Sequence, residues 1–482
     1  MGVFSALTTA VSGMQAQSYA LENISGNIAN SRTAGFKRVD TTFSDLVPDS
    51  ALNRQISGSV AAYSQSTNSI QGDLTATRID TNAAINGDGF FVVDQRTTGL
   101  GSNTQFANTN LYTRRGDFDF DANGYLVNGA GYYLKGLKID TVTGQLIGTQ
   151  PEVLRITKEQ FPAKATTSIE YRANIPAVPG TNNATAGTPG SELLSPTGFT
   201  SNPLSTTEGG TGVVIGSDLT RFLSQTIPGG SVTVYDALGK ATSVELRWGK
   251  TVNAAPAVAA DPAAIPPVVG SAATVDTWNL FVAENTGATG AVPAYRNANT
   301  SITFGSTGQL ETPANGNILL PEMTIGGTLI SSAANPINLT TGGNGVTQNG
   351  DVSGQIDARS IRQDGYTAGT LDRTSVSATG QVIGTFSNGQ VVALAQLSVA
   401  RFNADNALKR LDGGAFEETI ESGAPIIGLG TSQLIGGNVE QSNTDIADEF
   451  SKMIVTQQAY SANTKVITTA QEMLRDVFSI IR

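Results

Sequence analysis

The run Asp119-Phe120-Asp121-Ala122-Asn123-Gly124 places oxygen-bearing side chains at alternate positions ahead of a glycine, as the first half of a calcium loop does. Where such a loop needs a bidentate glutamate the chain has Ala130, so the run reads as a hairpin turn. Gly428-Leu429-Gly430 and Gly342-Gly343-Asn344-Gly345 fit neither dinucleotide nor phosphate-loop spacing. Asp73, Asp80 and Asp94 could serve acid–base chemistry only at a set separation, and they read as solvated or turn residues. The chain has no Cys and no His, which removes disulfides, thiolate chemistry, zinc sites of the usual kinds and the commonest general base. No catalytic, cofactor-binding or metal-binding residue is therefore assigned, and the chain reads as a non-enzyme.

The elements around these residues point elsewhere. The 482 residues carry a net charge of −11 on only 14% charged side chains, against about 25% in a typical domain. Such an acidic balance argues against nucleic acid as a partner. The most apolar long stretch, 254–273, is interrupted by Asp261 and four prolines, and reads as an extended loop rather than a membrane span. The first 31 residues carry one charge, Glu22, so the basic start of a secretory leader is missing and any export is expected to be signal-less.

Helical periodicity is confined to the two ends. Phe4, Leu7, Val11, Met14, Leu21 and Ile28 form one apolar stripe, with Ser18 and Ser25 at its remaining positions. Ile446, Met453, Tyr460, Ile467, Leu474 and Ile481 recur every seven residues, with Phe450, Gln457, Thr464, Gln471 and Phe478 as companions. Sustained seven-residue spacing predicts coiled-coil-like helices over 1–30 and 440–482, with a rise of roughly 55 Å from Thr444 to Ile481. Asn443 or Thr444 is the expected cap, ahead of Asp445 and Asp448. Neither helix can bury its stripe alone, so the ends are expected to pair and to form the core of an assembly of many copies.

Between the ends the chain turns β-rich. Runs such as Val232–Tyr235, Val244–Trp248, Trp278–Val282 and Val391–Val399 read as strands, separated by turn pairs such as Asn86-Gly87, Asn128-Gly129 and Asn388-Gly389. The expected organisation is an extended linking segment at 31–75, an inner β domain from 76–160 and 346–439, and an outer β domain at 161–345. The fold class is mainly β with helical termini that pair as an inner domain.

Asn27-Ile28-Ala29-Asn30-Ser31-Arg32-Thr33-Ala34-Gly35-Phe36-Lys37 ends the first helix and turns the chain, with Gly35 suited to positive φ and Asn30 and Thr33 placed to satisfy freed backbone groups. The stretch resembles the N-terminal motif of the bacterial flagellar rod and hook proteins, in which Asn27, Ile28, Ala29, Asn30, Thr33, Gly35, Phe36 and Lys37 match. Further blocks follow in order: Gln71-Gly72-Asp73-Leu74, Ile85-Asn86-Gly87-Asp88-Gly89-Phe90, Tyr112-Thr113-Arg114-Arg115-Gly116, Gly365-Tyr366-Thr367-Ala368-Gly369, Phe386-Ser387-Asn388-Gly389, Gly437-Asn438-Val439-Glu440-Gln441-Ser442-Asn443 and Gln457-Gln458-Ala459-Tyr460. The large insert and Val234-Tyr235-Asp236-Ala237-Leu238-Gly239 resemble the outer domain of the hook members. The resemblance implies a structural subunit that polymerises into the flagellar hook, the curved tube that carries torque from rod to filament. It also implies an extracellular place, export by the flagellar type III apparatus, and distal rod, hook cap and hook–filament junction proteins as partners. The alternatives are another axial protein, either junction or distal rod, and a secreted β-rich protein such as a carboxylate-only hydrolase or an adhesin.

Overall fold

The computed structural model describes residues 3–46, 59–98, 104–141, 143–158, 160–260, 269–325, 328–331, 337–340, 345–350 and 353–480. Ile481, Asp261 and residues 342–344 lie outside the described residues, as does the side chain of Phe478. The chain is mainly β with a long helix at each end, α1 (Val3–Ala29) and the C-terminal helix Ile446–Ile480. It divides into two compact units, one from 1–159 with 370–482 and one from 160–369. No described helix is long and apolar enough to cross a membrane.

In the first unit the two helices pack antiparallel. Asn27 near the end of α1 donates to Glu449 near the start of the C-terminal helix (3.0 Å), while Gly13 faces Asn463. The C-terminal helix is capped by Asp445, whose Oδ1 accepts from Ala447 N (2.8 Å) and Asp448 N (3.3 Å). Asn443 or Thr444 was the expected cap; the Asn443 side chain is instead engaged with Arg38 N and with Thr67 and Ile70. Residues 39–66, expected to be a plain linking segment, include an antiparallel hairpin of β1 (Val39–Leu46) and β2 (Ser59–Ser66), in register from Val39↔Ser66 to Leu46↔Ser59. The hairpin lies along α1, held by Tyr19 to Ser64 (2.7 Å) and Asn23 to Thr41 (2.8 Å). Polar side chains on that helix face give the strands partners that a free linker lacks.

The rest of the first unit is built on β3 (Leu74–Ala76), β4 (Ala83–Asn86), β5 (Phe90–Thr98), β6 (Gln105–Phe106), β7 (Leu111–Thr113), β8 (Phe118–Phe120), β9 (Leu126–Asn128), β10 (Tyr132–Ile139) and β11 (Leu146–Val153), with the returning chain completing the sheets. β5 is central, between β7 and β10. Side chains alternate across a strand, so Phe91 and Val93 enter one apolar cluster while Phe90 and Val92 enter another. The D-x-D-x-N-G run forms the β8–β9 hairpin turn: Asp121 Oδ1 accepts from Asn123 N (2.8 Å) and Tyr125 N (2.9 Å), and Gly124 sits at φ +83°.

The second unit packs two sheets around its larger apolar cluster, with a smaller one about Phe222, Phe281 and Tyr295. Its first sheet is centred on β12 (Ser168–Pro176), its second on long antiparallel strands at Ile227–Tyr235, Ala241–Val252, Thr277–Ala283 and Pro293–Phe304. Tyr171, Ile175, Trp248, Trp278, Ile302, Leu339 and Val346 meet in its centre, and Trp248 donates to the Tyr171 hydroxyl (3.2 Å). Residues 346–369 belong here, although the return to the inner domain was expected at 346. The reason is pairing: 346–349 and 357–363 both hydrogen-bond to β12. The V-Y-D-A-L-G block is a hairpin turn, with Asp236 Oδ1 accepting from Leu238 N (2.9 Å) and Lys240 N (2.8 Å). Gly239 packs against Ala163 and Thr367, where the outgoing and returning passes of the chain pair as Phe161↔Gly369 and Lys164↔Tyr366.

Candidate functional site: a buried ionic junction beneath a two-faced helix pair

Lys37 closes the N-terminal turn, and Gly35 at φ +65° sets that turn against the backbone of Arg114 and Arg115, a closeness that excludes a Cβ. The turn delivers the Lys37 ammonium to Glu440 Oε1 at 2.5 Å, both side chains being fully buried. The second carboxylate oxygen faces Arg114 Nη1 at 3.3 Å, and Glu440 Oε1 also accepts from Gly72 N (2.9 Å). Lys37 further donates to Ile70 O, and Arg114 lies over the Phe90 ring at 5.2 Å. Burial pushes the Lys37 ammonium below its ordinary value, against the opposing pull of Glu440; Arg114 adds to the lowering and Asp405 resists it. Arg410 adds a hydrogen bond to Lys37 O and stacks on Phe36 at 5.0 Å.

This junction gives several of the scattered sequence blocks a common physical purpose. Glu440 and Arg114 are 326 positions apart, and Glu440 and Lys37 are 403 apart. Gly72 approaches Gln441 O so closely that a Cβ would lie 2.1 Å from it. Asn27 spans β1, accepting from Val39 N and donating to Val39 O (2.9 Å each), and it also reaches Glu449. Asn30 donates to Gly26 O (3.0 Å) and accepts from Thr33 (3.1 Å), which closes the end of α1. Lys452 joins Glu449 (2.8 Å) to Asp40 (3.1 Å); burial disfavours its charge, but those two carboxylates outweigh it and raise its pKa. In the sequence Arg114 and Glu440 stand out only as parts of longer blocks. The signal available in the sequence was the scarcity of charge, which makes each charge within a glycine-rich, apolar block conspicuous.

The paired helices present two different faces. The inner face of α1 is small: Ala10, Gly13, Ala16, Ala20, Ile24 and Asn27 are buried. The C-terminal helix meets it through Glu449, Met453, Thr456, Asn463, Ile467, Ala470 and Leu474, so the companions within the chain lie one residue ahead of Phe450, Gln457, Thr464 and Gln471. Of the stripe residues, Leu7, Val11, Met14, Leu21, Ile28, Met453, Ile467 and Leu474 are half-buried. Phe4 is 71% exposed and Phe450 49%, and Ile446 and Tyr460 are exposed as well. Ile454, Val455, Val466 and Met473 add further exposed apolar surface on the C-terminal helix. Large apolar side chains exposed in such a row are uncommon in a self-sufficient domain.

Asp73 and Asp80 are exposed, as expected of solvated groups, but Asp94 is fully buried beside Lys135. Its position on the central strand, where both faces are covered, is the reason. Among the described residues no group of three or more Asp or Glu side chains is arranged to hold a metal ion.

The two ends of the chain thus close into one helical pair, with apolar surface left over along it. Four family descriptions match in chain order: "Flagella basal body rod protein" at 7–37, "Flagellar hook protein FlgE/F/G D1 domain" at 84–174, "Flagellar basal body protein FlaE D2 domain" at 228–366 and "Flagellar basal body rod FlgEFG protein C-terminal" at 435–480. The flagellar hook protein FlgE of Brucella suis is 27% identical over 478 residues, 98% of each chain. That of Caulobacter vibrioides is 28% identical over 605 residues, all of each chain, and that of Salmonella typhimurium 27% over 485 residues, 98% of each. The crystal structure of Helicobacter pylori flagellar hook protein FlgE2 aligns at 15% identity and a TM-score of 0.46, covering 75% of this chain and 98% of its own. The chain belongs to the flagellar rod and hook protein family.

Proposed function

We propose that this protein is the structural subunit of the flagellar hook. The observation that carries the reading is the match at 228–366 to a D2 domain, set within end-to-end similarity to hook proteins of three genera. The hook reading is favoured over a junction or distal rod protein and over a secreted β-rich protein. In this reading the helix pair forms the polymer core through Phe4, Leu7, Val11, Met14, Leu21, Ile28, Ile446, Phe450, Met453, Tyr460, Ile467, Leu474, Phe478 and Ile481. The buried Lys37–Glu440–Arg114 junction couples that core to the β sheets, so that load on the helices is passed to the first unit's sheet. The role is mechanical and needs no catalysis. The same reading places the protein outside the cell at the flagellar base, exported through the type III apparatus, with distal rod, hook cap and junction proteins as neighbours. Negative-stain imaging of purified, concentrated protein tests it: curved tubes are expected, and monodisperse particles under all polymerising conditions would overturn it.

A further inference from the structure

Three neighbouring strands of the first unit bring an amine, a carboxamide and a carboxylate together. The β5–β7 register, with Val93 opposite Leu111, continues to place Asp94 opposite Asn110, the residue just before β7. The β5–β10 register sets Asp94 opposite Tyr133, two residues from Lys135 on the same strand face. Lys135 Nζ donates to Asn110 Oδ1 at 2.9 Å and lies 3.4 Å from Asp94 Oδ2. Lys135 is 6% exposed and Asp94 not at all, whereas Asn110 opens to solvent. The Tyr133 ring packs against Phe106 at 5.1 Å and covers the same face. Asp94 Oδ1 is held by Gln95 N (2.8 Å), which leaves Oδ2 toward the amine.

We propose that Lys135 and Asn110 become joined by an isopeptide bond, with Asp94 carrying the protons. A lysine amine and an asparagine amide do not react in dilute solution, but fixed contact supplies the high effective concentration that intramolecular reactions enjoy. Asp94 accepts a proton from the Lys135 ammonium, and the freed Nζ lone pair attacks Cγ of Asn110, forming the new C–N bond. Asp94 then passes that proton to the departing amide nitrogen, the old C–N bond breaks, and the remaining proton leaves Nζ with the product as ammonium. Charge and atoms balance, nothing is oxidised or reduced, and no cofactor enters. The open side at Asn110 gives ammonia its way out. The bond would tie β7 to β10 across the central strand β5, supplying a covalent brace in a chain that has no cysteine to make one.

Intact-mass measurement of the purified full chain, followed by tryptic mapping, tests this. The expected mass is short of the sequence value by one ammonia, with a branched peptide joining Asn110 to Lys135 and no cleavage after Lys135. Lys135→Arg, Asn110→Ala and Asp94→Asn should each restore the sequence mass, and Asn110→Ala, at an exposed site, should do so with the fold retained. A wild-type chain of full sequence mass that yields linear peptides ending at Lys135 would overturn the proposal. So would an ammonia loss that maps to one of the Asn-Gly pairs, such as Asn128-Gly129. Full cross-linking in the Asp94→Asn protein would overturn the part given to Asp94.

Discussion

Glu440 is the residue on which the first unit depends most directly. Its carboxylate balances two fully buried cations and accepts a backbone N–H, so the oxygen atoms cannot be replaced by water. Breaking one partner of a buried pair leaves an uncompensated charge, at a cost of about 3 to 5 kcal/mol. Glu440→Gln should lower the unfolding midpoint of the first unit and leave the second unit's transition in place, as read by calorimetry. Asp364 provides a pH-dependent counterpart in the second unit. Burial opposes its ionisation, but hydrogen bonds from Ser168 N, Thr167 and Thr167 N, with Lys164, hold its carboxyl down at about 2. A folded value below the unfolded one means stability that is present above the ordinary carboxylate pKa and lost as pH falls through about 2. Because the group is partly exposed, the contribution is discounted to about 1 kcal/mol. Asp364→Asn should therefore destabilise the second unit by that amount at neutral pH, and the difference from wild type should close as urea titrations are carried down to about pH 2.

The helices illustrate what sequence periodicity does and does not reveal. Large apolar residues at seven-residue spacing were plain to read, and both helices form where that spacing predicts them. The inner face of α1 was not legible, because Ala10, Gly13, Ala16 and Ala20 carry little hydrophobic signal and qualify for burial only through close approach. A Cβ on Gly13 would stand 2.9 Å from Asn463 Nδ2. Gly13→Leu should thus wedge the pair apart, with an overpacking cost of about 1 to 3 kcal/mol and reduced helical circular dichroism in the unassembled protein. Phe450→Asp should behave in the opposite way. Its side chain is half exposed in the single chain, so the helical signal should be retained while pelleting assays show assembly lost. If Phe450→Asp polymerises like wild type, the outward face is not an assembly surface.

At the scale of the whole molecule, the mainly β middle and helical ends were readable from turn pairs and periodicity, whereas the junction and the domain boundary were not. Glu440 stands hundreds of positions from both Lys37 and Arg114, and nothing local announces that their charges meet. The boundary at 369 follows from the pairing of 357–363 with β12 and of Gly369 with Phe161, both long-range contacts without a composition change to mark them. The same topology lets one chain leave and rejoin the first unit at neighbouring points, so that helices at opposite ends of the sequence close into a single rod. This rod, through the face its own partner leaves uncovered, is expected to hold the polymer together. A cryo-electron microscopy reconstruction of the assembled protein measures this directly. Phe450, Ile454, Val455 and Val466 are expected to be buried against neighbouring copies; a polymer held by second-unit contacts, with those four side chains facing solvent, would rule this out.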